Sequence, residues 1–434
     1  MTSAGSRRVL IVSYQYPPEG GSSGVLRTLK FSRYLPRHGW TPHILTLRES
    51  FYPVRDESLR SQIPTEAVVH RSFGLDSARH LSIGGRYLAA TTVPDRFVAW
   101  IPFAVTQGLS VVRRHGIDVL YSTSPPPSTH LIAATLHRLT GLPWIADFRD
   151  PWIEEGQHPR PGTLRCRVEK SMERWVLGSA TRVLATTPRL RDELVGRHPS
   201  LDPSKFRVVF NGYDESDFAA LPPAGPAERF ELIHAGLVTP EFRDPAPLLR
   251  AVADLLTGTD VRRETVRVTF LGGGPYVESE AFRESIRASR LEDVVEVAGR
   301  VTHGESLARQ LRAAVLVVLQ SSEDTKTLVP AKAFEYIRLG RPILSLTPPG
   351  ATTEVLEGLP HCAVVDPARE DLLRDAVKRL YRDWSAAAGT LRPPDVAKRF
   401  ERSELTRQLA ALLDEVAPAE AGGGTVRKGR QDAP

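Results

Sequence analysis

A chain of 434 residues exceeds one ordinary hydrophobic core, and 25% charged with 41% apolar side chains excludes both a disordered chain and a membrane-spanning one. The net charge of +6 is modest for this length. Its cations are scattered among acids with no zinc-ligand spacing or nucleic-acid motif, so no nucleic-acid partner is expected, whereas a phosphorylated substrate or anionic lipid fits. Met1–Arg8 runs at once into Val9–Val12, too short an apolar stretch for a signal peptide, and Cys166 and Cys362 alone suggest a reducing cytoplasm.

In chain order, short Val/Ile/Leu-rich runs predict strands at Val9–Ser13, His43–Leu47, Val119–Tyr121, Trp144–Ala146, Arg182–Ala185 and Arg207–Val209. A second series follows at Leu232–Ala235, Arg267–Leu271, Val294–Val297, Val315–Leu319, Ile343–Leu346 and Ala363–Val365. The segments between them are long enough for helices, the pattern of an α/β, doubly wound parallel sheet. Leu221-Pro222-Pro223-Ala224-Gly225-Pro226 reads as a stiff linker. The expected architecture is two Rossmann-like domains facing a cleft, over residues 1–221 and 229–392 with a linker at 222–228. A last helical pattern at about 396–416 follows the break at Arg392-Pro393-Pro394, and the polar, Gly-rich, basic stretch 417–434 is expected to be disordered.

Several loops carry chemistry. Tyr14–Arg27 is Gly-rich and runs into a helix whose first N–H groups suit an anion; a mobile surface loop is the alternative. Its Gly20-Gly21-Ser22-Ser23-Gly24 also spells the Gly-x-Ser-x-Gly of a hydrolase elbow. An elbow needs its Ser directly after a strand, and Pro17-Pro18 intervene here. Pro143–Trp152 leads from a strand into two Asp, one Arg and a Trp, which suits sugar hydroxyls and an apolar sugar face. An Asp–Arg ion pair that pins the loop is the compatible alternative. In Val329–Ile343, Lys332 and Glu335 stand three residues apart on the first turn of a helix that Gly340 stops. At the carboxyl end of a parallel strand, that layout fits a phosphate beside a ribose; an i,i+3 ion pair on a solvated face is the plainer reading.

Pro330-Ala331-Lys332-Ala333-Phe334-Glu335-Tyr336 resembles the Pro-x-Lys-x-x-Glu-Tyr stretch of family 4 glycosyltransferases, the retaining, nucleotide-sugar-dependent enzymes of the GT-B fold. The resemblance implies that Gly20, Gly21 and Arg27 touch the donor diphosphate and shape the acceptor pocket. Asp147-Phe148-Arg149-Asp150-Pro151-Trp152 resembles an element of members linked to surface polysaccharide synthesis, which implies acceptor binding by Asp147, Arg149 and Trp152. Many members carry near this point a His that contacts the transferred sugar. Arg149 or Asp150 stands in its place here, and Asp150 is taken as the catalytic candidate.

In the second domain many members have Arg after the Gly of Ala235-Gly236 and Lys six residues later, both on the diphosphate; this chain has Leu237 and Arg243. Leu271-Gly272-Gly273-Gly274-Pro275 fits the family's next Gly-rich loop. Gly299, Arg300 and Val301 resemble the strand end whose backbone reads the nucleobase. Of the family's Glu-x7-Glu pair, Glu335 matches the ribose-binding member and Thr327 occupies the other position, associated with the sugar's hydroxyls.

By resemblance, then, the reaction moves a sugar from a nucleotide-diphosphate donor to a hydroxyl acceptor, lipid-linked or a growing glycan. No cofactor beyond that co-substrate is implied. No metal is expected, since Lys332, Arg243 and the helix dipole would do a cation's work and neither Asp-x-Asp nor His-Glu-x-x-His occurs. The final helix would cross back onto the first domain. The alternatives are a catalytically degenerate nucleotide-sugar-binding subunit, motivated by Leu237 and Thr327, and a sugar-nucleotide epimerase of similar fold. Arg27, Lys30, Arg33, Arg37 and His38, interleaved with Phe31, Tyr34 and Trp40, give the first helix the character of a peripheral contact with the inner membrane face, or of an ordinary amphipathic helix packed on its sheet.

Overall fold

The computed structural model describes residues 6–22, 24–80, 89–153, 160–223, 225–322, 325–386 and 393–418. Its first sheet has seven strands in the order β3-β2-β1-β4-β5-β6-β7. These are β1 Arg7–Val12, β2 Trp40–Leu47, β3 Val68–Ser72, β4 Val119–Ser124, β5 Trp144–Phe148, β6 Arg182–Ala185 and β7 Phe206–Val208. The second sheet has six, in the order β10-β9-β8-β11-β12-β13. They are β8 Phe230–Ala235, β9 Val266–Leu271, β10 Val295–Ala298, β11 Val315–Leu319, β12 Ile343–Leu346 and β13 Cys362–Val365. Every pairing is parallel. Helices cover both faces, so central strands such as β4 and β11 are buried along their whole length.

Strand order reverses between β1 and β4 and again between β8 and β11. Such switch points open a crevice at the carboxyl ends of the strands, and they set where a ligand can lie. The Gly-rich Tyr14–Arg27 loop leaves β1 and the Gly236 loop leaves β8, so each sits at one of them.

Strand β3 was absent from the sequence-based pattern. It is an edge strand, Val-Val-His-Arg-Ser, whose polar residues break the apolar run that marks the interior strands. β5 continues past Ala146 because Asp147 and Phe148 still pair with Thr123 and Ser124 of β4.

The Arg402–Val416 helix lies against the Val25–Tyr34 helix, with Leu405, Leu409 and Leu413 in one apolar cluster with Leu29, Phe31 and Leu35. It starts later than the sequence suggests. Asp395–Phe400 is a separate 3-10 turn, and the backbone of Phe400 and Arg402 is drawn into hydrogen bonds with Tyr213. Residues 222, 223 and 225–228 form neither helix nor strand, and the tail expectation lies outside the described residues from 419 onward.

The basic first helix corrects one expectation. Lys30 is buried between Asp214 (2.9 Å) and Asp217 (3.2 Å), and Arg33 donates to Ser216. Phe31 and Trp40 are fully buried, and the hydroxyl of the buried Tyr34 donates to Asp214. Most of the row that read as a membrane face is thus internal: the 214–217 turn holds Lys30 and Arg33, Asp147 holds Arg27, and Arg37 stays exposed over the Tyr34 ring. No helix among the described residues is long and apolar enough to cross a membrane.

Candidate active site

The second domain gathers its polar groups at the β8/β11 switch point. After β8 the chain turns at Gly236, whose φ of +118° only glycine adopts without strain. A Cβ there would stand 3.1 Å from Lys332 Nζ, so the glycine also leaves room for that side chain. After β11 the loop climbs to Pro330, which starts the Ala331–Leu339 helix with no side-chain cap. The first-turn N–H groups and the positive end of the dipole therefore face the crevice.

Lys332 Nζ lies 3.2 Å from Nε2 of the buried His234. The other ring nitrogen, Nδ1, lies 3.0 Å from the carbonyl of Val317 and must donate to it. Nε2 is then a bare lone pair, and Lys332 donates to it. Burial, with Lys332 alongside, pushes His234 well below the usual histidine range, which keeps it neutral. Burial, with Arg243 nearby, pushes Lys332 down to about 7. Burial lowers Arg243 as well. Among the described residues neither cation has a carboxylate at ion-pair distance, so two desolvated positive groups converge on a crevice without a counter-ion.

Glu335, one turn on from Lys332, points to the crevice's far rim. Its Oε1 lies 3.0 Å from Nε2 of His303, the first residue of the His303–Arg312 helix, and this contact pushes the imidazole up. Gly299, Arg300 and Val301 form the turn into that helix, Gly299 and Arg300 exposed. Glu335 and the expected nucleobase strand end are thus neighbours. Thr327 is buried; its carbonyl accepts Thr187 Oγ1 from the first domain at 2.6 Å, and its own hydroxyl has no partner among the described residues.

The first domain is different. Arg27 and Asp147 are fully buried in a bidentate pair, Nε–Oδ2 2.9 Å and Nη2–Oδ1 2.7 Å. The carbonyls of Val209 and Phe210 take further guanidinium donors, and Thr123 donates to Asp147. Burial alone would raise the Asp147 carboxyl, but Arg27 outweighs it and holds it below the usual range. Arg27 on the donor and Asp147 on the acceptor are therefore corrected: each is saturated by the other.

Trp152 is corrected likewise. It is buried in the apolar core with Nε1 donating to Glu169 at 3.3 Å, so only the edge that lines a small cavity stays open, too little for a sugar to stack on. Arg149 donates to the carbonyls of Ser124 (2.9 Å) and Pro125 (2.8 Å) and is nearly buried, so it ties loops together and does not reach for an acceptor. Gly24 is what admits it, since a Cβ there would fall 2.0 Å from Arg149 Nη1. Asp150 keeps access: it lines a cavity of about 160 Å³ with Ser124, Pro125 and Trp152, and burial raises its carboxyl. Gly20 and Gly21 lie in the expected loop, yet their N–H groups are already taken by the Val54 carbonyl (3.2 Å) and Glu19 Oε1 (2.7 Å).

His234 and His303 carry no motif signal. Only a histidine directly before the Ala-Gly of a donor-side loop, and one opening a helix, hinted at them.

Residues 24–212 match a family model described as a glycosyl transferase 4-like domain, and residues 229–383 match one described as glycosyl transferases group 1. A D-inositol 3-phosphate glycosyltransferase of Kineococcus radiotolerans is 31% identical over 224 residues, covering 49% of this chain and 49% of that protein. The chain thus spans about half the length of the curated relatives it matches. Sucrose-phosphate synthase from Thermosynechococcus elongatus superposes with a TM-score of 0.66 at 14% identity, over 94% of this chain and 98% of the other. Anabaena HepE in complex with UDP does so at 0.65 and 14%, over 94% and 100%. At these identities the two structures establish a shared fold.

Proposed function

The chain belongs to glycosyltransferase family 4 and has the GT-B fold, and from that premise we propose that it moves a sugar from a nucleoside-diphosphate donor to a hydroxyl acceptor with retained anomeric configuration. The observation that carries the reading is the pair Lys332 and Arg243, desolvated and, among the described residues, without a carboxylate at ion-pair distance, beside an uncapped helix N-terminus. A diphosphate supplies the missing countercharge.

The acceptor oxygen bonds to the anomeric carbon on the face from which the diphosphate leaves. The carbon–oxygen bond to phosphate breaks, and the acceptor's proton passes to the departing phosphate oxygen. Lys332, Arg243 and the helix dipole stabilise the charge that grows there, on a scale of roughly 3 kcal/mol per well-placed donor. They supply what a divalent cation supplies elsewhere, so turnover is expected to survive EDTA. In this reading Glu335 leaves His303 for the ribose hydroxyls, and the backbone of Gly299–Val301 meets the base. Thr327 stands where the family's sugar-binding member stands, and Asp150 is the acceptor-side carboxylate.

In this reading the acceptor belongs to surface polysaccharide or glycoconjugate synthesis, at the cytoplasmic membrane face. One observation supports peripheral contact: the Leu164–Ser179 helix exposes Leu164, Val168 and Trp175 among the exposed Arg167, Lys170 and Arg174, while Glu169 and Glu173 are turned inward. Trp175→Ala is expected to reduce sedimentation with phosphatidylglycerol vesicles, and equal binding by wild type to neutral vesicles would remove the electrostatic part.

The deciding experiment is calorimetric titration with UDP, GDP, ADP and dTDP, each with and without EDTA. One nucleotide should bind tightly and independently of metal. Binding of none would move the assignment to a non-catalytic subunit.

A further inference from the structure

We propose that His43, His70 and His115 form a binding site for one divalent transition-metal ion, with zinc as the reference ion, on the first domain and apart from the donor crevice. The three come from three elements: β2, the edge strand β3, and the C-terminal residue of the Ile101–His115 helix that packs across both strands. Register brings the first two together. His70 pairs with Leu45, and side chains alternate along a strand, so His43, two residues before Leu45, shares its face.

His43 Nδ1 and His70 Nε2 lie 3.1 Å apart with their rings 6° from parallel. His115 closes the triangle at ring distances of 4.7 Å and 5.2 Å, and all three ligand nitrogens lie within 4.8 Å of one another. A tetrahedral zinc, with bonds of about 2.0–2.1 Å to nitrogen, sets its ligands about 3.3 Å apart. One pair already has that spacing, and the third ring is a side-chain rotation away.

The surroundings favour an ion that brings its own charge. His43 is buried, but His70 and His115 are only partly so, leaving a route for the ion and a fourth position for water. The cluster sits at a helix C-terminus, the negative end of the dipole, where Gly116 caps in the left-handed conformation. Arg8 donates to the His115 carbonyl at 2.7 Å and opposes the ion, while Asp118, which accepts from the Arg8 backbone at 2.8 Å, offsets it. The ion would rivet the edge strand and the helix to β2.

The test uses tag-free full-length protein stripped with EDTA and titrated with zinc chloride by calorimetry, followed by thermal unfolding with and without the ion. One equivalent should bind at micromolar or tighter affinity and raise Tm. His70→Gln and His115→Gln, both partly exposed positions, should weaken binding by roughly 100-fold or more, and His38→Gln outside the cluster should not. Cobalt(II) added to the unaltered protein should give the visible absorption of a low-coordinate, nitrogen-ligated ion, a readout that does not depend on a variant folding. No uptake below millimolar zinc, or uptake that both variants retain in full, would overturn the site.

Discussion

Each domain holds a cluster built on cations, fully buried in the first and half-buried in the second, and the two differ in how the charge is met. In the first domain Arg27 meets Asp147 in a bidentate pair and spends its remaining donors on carbonyls. In the second, Lys332 leans on a neutral histidine, and among the described residues Arg243 has no carboxylate at ion-pair distance. A desolvated charge is costly unless paired. A cation that carries its partner holds the fold together, and one that lacks it stores a demand for an anion from outside.

The comparison breaks most visibly on the first-domain side. Asp147→Ala should cost about 3–5 kcal/mol in urea unfolding, because it strands Arg27 in the core. A loss below about 1 kcal/mol would show that the pair is not holding the fold. Next in size, Lys332→Ala and Arg243→Ala should each lower kcat by about 10²–10³ while leaving the urea midpoint unchanged or raised, since a desolvated charge is removed. Near-normal turnover in both variants would refute the diphosphate clamp.

Glu335→Ala should weaken nucleotide binding by roughly 1.5–3 kcal/mol, the scale of hydrogen bonds to a charged group, with a smaller effect on kcat. His303→Ala, which only removes the resting partner, should change affinity far less; calorimetry on the pair separates ribose binding from simple helix contact.

A further effect is in pH. Lys332 stands at about 7 in the fold against an ordinary lysine value of 10.5. Between those values the unfolded chain binds the additional proton, so the stability of the ligand-free protein rises with pH across that window. Nucleotide affinity has the opposite sign and falls as pH climbs through 7, because the anion wants the protonated amine. Both slopes should vanish in Lys332→Met, and a persistent affinity slope there would place the titrating group elsewhere.

What could be read without coordinates follows the range of the interactions. Interior strands such as Val315–Leu319 announce themselves because both faces are buried, and the edge strand Val68–Ser72 does not. Lys332 and Glu335 were legible because one helical turn fixes their relation. Arg27 and Asp147 lie far apart in the chain, so nothing local says that each is the other's partner. Arginine, aspartate and tryptophan in a loop after a strand suggest a sugar site, and here the same residues are spent on contacts inside the domain. His234 escaped notice for a related reason: its role depends on Val317, which only the β8–β11 pairing brings near.

The return of the Arg402–Val416 helix to the first domain has a consequence for synthesis. Leu405, Leu409 and Leu413 complete the apolar layer over Leu29, Phe31 and Leu35, yet almost the whole second domain is translated between the two groups. While the ribosome makes that domain, the first one waits with an uncovered greasy flank, and a chaperone has most to shield there. Once the last helix docks, the polypeptide crosses between the domains twice, which turns a single tether into two.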